Sequence, residues 1–132
     1  MRENELEQRQ MEAAKILAVL KQQEAKLNNI IDSQTLNNEE LDALYNSESL
    51  DIQQIEAHRD YGIKLSTDIK NQERVIANTK AILERKQNEV REAHKKAEIL
   101  RKLKEKQEEE YYKEFLKQEV KEIDDITSAR FN

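Results

Sequence analysis

Residues 51–100 read DIQQIEAHRD YGIKLSTDIK NQERVIANTK AILERKQNEV REAHKKAEIL, and no proline interrupts them. Along this stretch Ile55, Gly62, Ile69, Ile76, Leu83, Val90 and Ala97 recur every seventh position, and only Gly62 is weak. An apolar set repeating every 3.5 residues, rather than 3.6, marks a helix wound around another helix. The half-seam three residues on is poorer: His58, Leu65, Gln72, Thr79, Lys86, Ala93 and Leu100. The stripe is therefore wide enough for one partner helix and too narrow for a globular core. The pattern predicts one unbroken helix from Asp51 to about Ile126, on the order of 110 Å long at about 1.5 Å per residue.

Upstream, the same period predicts a helix over about 2–45. Leu6, Ala13, Leu20, Leu27 and Leu41 fall on one column with Gln34 filling the gap; Ile16, Gln23, Ile30, Asn37 and Leu44 form the other. Polar residues at Gln23, Gln34 and Asn37 cost stability but help fix register. Asp32–Asn38 is the softest part and the place where this helix would break.

Between the two helices, Asn46-Ser47-Glu48-Ser49 halts the apolar pattern with side chains that compete for the backbone. Asp51 is placed to cap the next helix, with Gln54 at its third position as in a capping box. Leu50 and Ile55 are spaced as a hydrophobic staple. A short turn between two long helices forces them antiparallel. Folding there pairs residues whose numbers add to about 99, so that Leu44 meets Ile55, Ile30 meets Ile69, Ile16 meets Leu83 and Leu6 lies near Ala93.

This predicts a single all-α domain over 1–132, a two-helix antiparallel coiled-coil hairpin whose long C-terminal helix overhangs the shorter first one. About 99–128 would lack an intramolecular partner. That overhang carries Leu100, Leu103, Tyr111, Tyr112, Phe115, Leu116, Val120, Ile123 and Ile126, including another stripe spaced by threes and fours. Leaving it in water costs about 25 cal/mol per Å² of apolar surface. A second copy or a different protein is expected to cover it.

Composition supports this class: no proline, one glycine, and 39% charged residues against 36% hydrophobic. Regular heptads argue against the disorder that such a charge content otherwise suggests. The absence of cysteine excludes disulfides and thiol chemistry and suits a cytoplasmic location. No apolar run approaches the roughly 20 residues of a membrane span, and the acidic start Met-Arg-Glu-Asn-Glu is unlike a secretory leader. The net charge of −5 is uneven: residues 1–60 carry 6 basic and 13 acidic groups, and 84–106 carry 9 basic and 5 acidic. Glutamates interrupt the basic stretch and the chain is acidic overall, so an acidic protein partner fits better than nucleic acid.

The chain carries no catalytic constellation: no Ser or Cys is placed as a nucleophile beside His58 or His94. His58 sits on the weak half-seam as a packed histidine, and His94 points to solvent. Glu108-Glu109-Glu110 and Asp124-Asp125 are helix neighbours that point apart, so they do not converge on a metal. There is no glycine-rich phosphate loop. These readings predict a protein that is not an enzyme and holds no cofactor.

The stretch Leu100-Arg-Lys-Leu-Lys-Glu-Lys-Gln-Glu-Glu-Glu-Tyr-Tyr, followed by Lys117-Gln-Glu-Val-Lys-Glu-Ile-Asp-Asp-Ile and Ala129-Arg-Phe131, resembles the flagellar export protein FliJ family. The entry Ser49-Leu-Asp-Ile-Gln-Gln-Ile-Glu-Ala-His resembles that family's entry into its second helix. The resemblance implies an antiparallel coiled coil similar to the γ subunit of rotary ATPases. It also implies a place in the type III export apparatus, cytoplasmic and peripheral to the cell membrane at the flagellar base. The implied partners are the export ATPase ring, the membrane-embedded export gate and export chaperones, with membrane association only through them. In the overhang, Lys104, Lys106, Gln118, Glu119, Lys121, Glu122 and Asp124 match the family's charged motif. With Tyr112, Phe115 and Leu116 from the apolar stripe, they are the expected ATPase contacts. Tyr61, Leu65 and Gln72 resemble the segment facing the export gate. The family's Phe-rich N-terminal lead-in is missing, which implies a truncated or short member. Competing readings are a prefoldin-like holding chaperone and a homotypic structural coil.

Overall fold

The computed structural model describes residues 2–131, and side chains over 4–130. Two helices account for nearly all of it, α1 (Arg2–Tyr45, 44 residues) and α2 (Ile52–Phe131, 80 residues), with no strand among the described residues. The side chain of Phe131, last in the C-terminal family-like pattern, lies outside the described residues. α1 does not break at 32–38. Ser33 Oγ donates to the Asn29 carbonyl at 3.0 Å and Thr35 Oγ1 to Ile31 at 3.1 Å, so these hydroxyls are satisfied within the helix. α2 continues past Ile126, because Thr127-Ser128-Ala129-Arg130 contains no glycine or proline to stop it.

The connection is short. The Asn46 amide donates to the Asp42 carbonyl at 3.0 Å, and Ser47 Oγ to the Ser49 carbonyl at 2.6 Å. Asp51 Oδ1 then accepts the Gln54 amide at 3.2 Å, and its carbonyl accepts the Ile55 amide at 3.0 Å, the geometry of an N-cap. Leu50 remains 62% exposed while Ile55 is buried, so the cap rather than a staple sets the start of α2.

The chain divides into two compact units, one spanning Gln8–Val90 and the other joining the first seven residues with those from Arg91 onward. In the first unit α1 and α2 pack antiparallel as a coiled-coil hairpin. Cross-helix hydrogen-bonded and ion-paired residues have numbers adding to 95–100, in line with the register near 99. Both half-seams are occluded. Leu20, Ile55, Leu65 and Ile76 are the buried apolar residues of this unit, and Asn37, Gln72 and Thr79 are buried polar ones. The half-seam that looks poorer by composition is thus at least as buried as the other, since Ile69, Leu83 and Val90 are only half-buried. In a coil, burial follows position on the helix, and polar residues there must find partners. Gln72 Nε2 donates to the Gln23 carbonyl at 2.9 Å and Thr79 Oγ1 to the Val75 carbonyl at 3.1 Å; among the described residues the Gln23 side-chain oxygen alone is buried without a partner.

In the second unit Ala93 is buried, and Glu5, Leu6, Ala97 and Glu98 are half-buried. From Ile99 to Arg130 every residue is exposed. No helix of the described residues is long and apolar enough to cross a membrane.

Candidate interaction surfaces

The exposed run of α2 is amphipathic without being covered. Tyr112 is 60% exposed, Phe115 50% and Leu116 41%; Val120, Ile123 and Ile126 continue the same side at similar exposure. Steps of three and four residues place them on one face. Leu116 and Val120, with Lys117, Lys121, Asp124 and Asp125, line a shallow open depression, so the apolar strip is edged by charges of both signs. Interface cores with polar rims have this composition.

The charges here fall into two sets. Arg101 is held within its own helix, donating to Glu98 at 2.9 Å and Glu105 at 3.0 Å. The hydrogen bond and charge of Arg101 hold the Glu98 carboxyl below the usual carboxylate range, and Glu98 in turn raises Arg101. Lys113 pairs with Glu109 at 3.3 Å. By contrast, no ion pair among the described residues involves Lys104, Lys106, Glu119, Lys121, Glu122 or Asp124, and Gln118 is exposed beside them. The charged residues expected from the family-like motif are thus left for something else, as are Lys102, Glu108, Glu110, Glu114, Lys117 and Asp125 of the same stretch.

The gate-facing expectation fares differently. Leu65 is 5% and Gln72 7% exposed, and Gln72 is tied to the α1 backbone. Both lie in the seam between the helices, because they stand seven apart on the heptad column that faces α1. They cannot serve as surface contacts while the hairpin is closed. Tyr61, 45% exposed, is the one of the three that a partner can touch. It lines a groove across the two helices with Ser33, Leu36, Asn37, Glu40, Ala57 and His58. Leu36, 56% exposed, is an apolar lip of this groove that the heptad reading passes over. Its signal is that it is apolar yet out of phase with the seam, as is Ile63 at 68% exposure.

Further along the same unit, Glu12 accepts from Lys86 at 3.4 Å and Arg9 at 3.3 Å. Burial alone would raise the Glu12 carboxyl. The hydrogen bonds and charges of Lys86 and Arg9 outweigh it and hold the group below the usual carboxylate range.

A family model, Flagellar FliJ protein, matches residues 1–132. The chain belongs to the flagellar FliJ family. It is therefore a component of the flagellar protein export apparatus, of a family that is structural rather than enzymatic. No curated protein and no solved structure matches the chain in comparisons of the same kind. Family membership agrees with the all-α coiled coil found here.

Proposed function

We propose that this FliJ-family chain is a non-enzymatic stalk coupling the export ATPase ring to the export gate, and that it aids the handling of export chaperones and their substrates. The observation that carries the reading is the stretch 99–130, helical throughout and nowhere covered, with its apolar face edged by unpaired charges. On this reading Tyr112, Phe115 and Leu116 seat in the ATPase ring. Lys104, Lys106, Gln118, Glu119, Lys121, Glu122 and Asp124 set orientation and encounter rate, as rim charges do. Tyr61, with the Leu36 lip, meets the gate. The chain then works in the cytoplasm at the flagellar base, reaching the membrane only through its partners.

The test is association of the purified chain with the export ATPase, followed by co-sedimentation or light scattering. Replacing Tyr112, Phe115 and Leu116 together with Ala should abolish association while leaving far-UV circular dichroism largely unchanged. Undiminished association by this variant refutes the assignment. A concentration-independent dimer that Ile123→Asp breaks would instead make the strip a homotypic seam. Suppression of aggregation of an unrelated unfolded protein, without ATPase, would favour a holding chaperone.

A further inference from the structure

The chain has one glycine, and it lies in the seam. Gly62 is half-buried with ordinary helical backbone, so no turn or positive φ requires it. What stands against it is Asn37, 3% exposed, the most buried polar residue of the described chain. A Cβ on Gly62 would lie 3.2 Å from Asn37 Nδ2. That nitrogen donates to the His58 carbonyl at 2.8 Å, and Asn37 Oδ1 lies 2.8 Å from His58 Nδ1. Because the amide nitrogen must face the carbonyl, the amide oxygen faces the ring and His58 Nδ1 carries the proton. Glu40 lies 3.7 Å from the same ring nitrogen.

In an α-helix the carbonyl of residue 58 already accepts the amide of residue 62. The missing Cβ at 62 leaves that carbonyl open to a second donor coming from the facing helix. We propose that Asn37, His58 and Gly62 form a polar clasp that selects one register of the hairpin from others the apolar pattern allows.

The alternatives are real because the seam is periodic. A slip of one heptad toward the C terminus brings Ile30 from the level of Ile69 to that of Ile76, and Ile16 from Leu83 to Val90, so apolar still meets apolar. Asn37, however, moves from His58 and Gly62 to Leu65 and Ile69. There no ring nitrogen donates to its oxygen, and the Ile69 side chain crowds the carbonyl of Leu65. A slip the other way sets Asn37 against Asp51 and Ile55, at the start of α2. Gln23, joined to Gln72 in the native pairing, becomes a weaker second lock, since its own Oε1 is unpartnered. A buried amide satisfied in one register and orphaned in its neighbours fixes alignment at some cost in stability. The clasp works with His58 neutral or charged, since Nδ1 donates in both forms; it is an alignment device and not a proton switch.

The cysteine-free chain permits a direct reading. Spin labels placed at the exposed positions Glu24→Cys and Glu84→Cys, diluted with unlabelled chain, report the sliding coordinate by pulsed electron resonance. The native chain should give one narrow distance. Asn37→Leu should add at least one further population displaced along the axis by about 10 Å, one heptad of helical rise, while melting at the same or a higher temperature. Gly62→Ala keeps every polar group and should show the same second population, more weakly; it decides the matter if Asn37→Leu loses its helicity. A folded Asn37→Leu chain with the single native distance overturns the proposal, as does a single distance in Gly62→Ala when Asn37→Leu does not fold.

Discussion

Replacing Gly62 with Ala offers a sharp energetic test, because two opposed terms of known size act at one atom. In an exposed helix the substitution stabilises by about 1 kcal/mol, chiefly through lost freedom of the unfolded chain. Here the new methyl carbon would stand 3.2 Å from Asn37 Nδ2, a few tenths of an ångström closer than carbon and nitrogen ordinarily settle. The amide cannot retreat freely, since both its ends are bonded to His58 at 2.8 Å. If the contact displaces it, a buried donor loses its partner, which costs about 1–3 kcal/mol. The expected result in the native background is therefore between no change and a loss of about 2 kcal/mol, the difference of those two terms. With Asn37→Ala already in place, the clash and the bond are both gone. Gly62→Ala should then stabilise by the full helical term of about 1 kcal/mol. Urea unfolding of the four chains, followed at 222 nm, gives the coupling directly, expected at about 1–3 kcal/mol. Equal stabilisation by Gly62→Ala in both backgrounds would show that Asn37 is not held against the glycine, and the clasp would lose its footing.

Asp51→Ala, which removes the carboxylate accepting the Gln54 amide, should lower stability by about 1 kcal/mol in the same unfolding assay. Ile76→Ala should cost about 2–4 kcal/mol because it empties a buried seam position. Ile63→Ala, out of phase and exposed, should stay within about 0.5 kcal/mol of the parent. The Glu12 carboxyl is held below its ordinary range, so its contribution is fully present above the unfolded-state pKa of about 4.3 and is lost as pH falls through the lower folded value. Glu12→Gln should accordingly flatten the acid limb of melting temperature against pH below about 4.3, and an unchanged limb would deny that pairing a role.

What could be read from the sequence and what could not divide along one physical line. A heptad column depends only on backbone periodicity, so the two helices and the seam between them follow from the spacing of Ile55, Ile69, Ile76 and Leu83, while the turn at 46–50 places the pairing near 99 among the registers that the column allows. The cap at Asp51 is equally local and equally legible. Burial within the seam is not local. Ranking it by hydrophobicity put His58, Leu65, Gln72 and Thr79 on the weaker side, whereas the fold buries Leu65, Gln72 and Thr79 because of where they stand. Leu65 and Gln72 resemble a gate-facing segment, yet they stand on the heptad column that the fold buries, so a motif match alone does not make a residue a surface contact. Leu50 fails as a staple for the related reason that an apolar residue in a turn packs only if the turn directs it inward. The polar positions Gln23, Gln34 and Asn37 were readable as register-setting, but not with which partners. Gln34 Nε2 donates to Ser66 Oγ at 3.1 Å and Asn37 reaches a backbone carbonyl, and neither bond has a signature in one dimension. Gly62 shows the limit most clearly. As a letter it is a gap in an apolar column; against Asn37 it becomes the space that lets a buried amide reach the facing backbone, so the weakest member of the stripe is the one that tells the two helices where to stop.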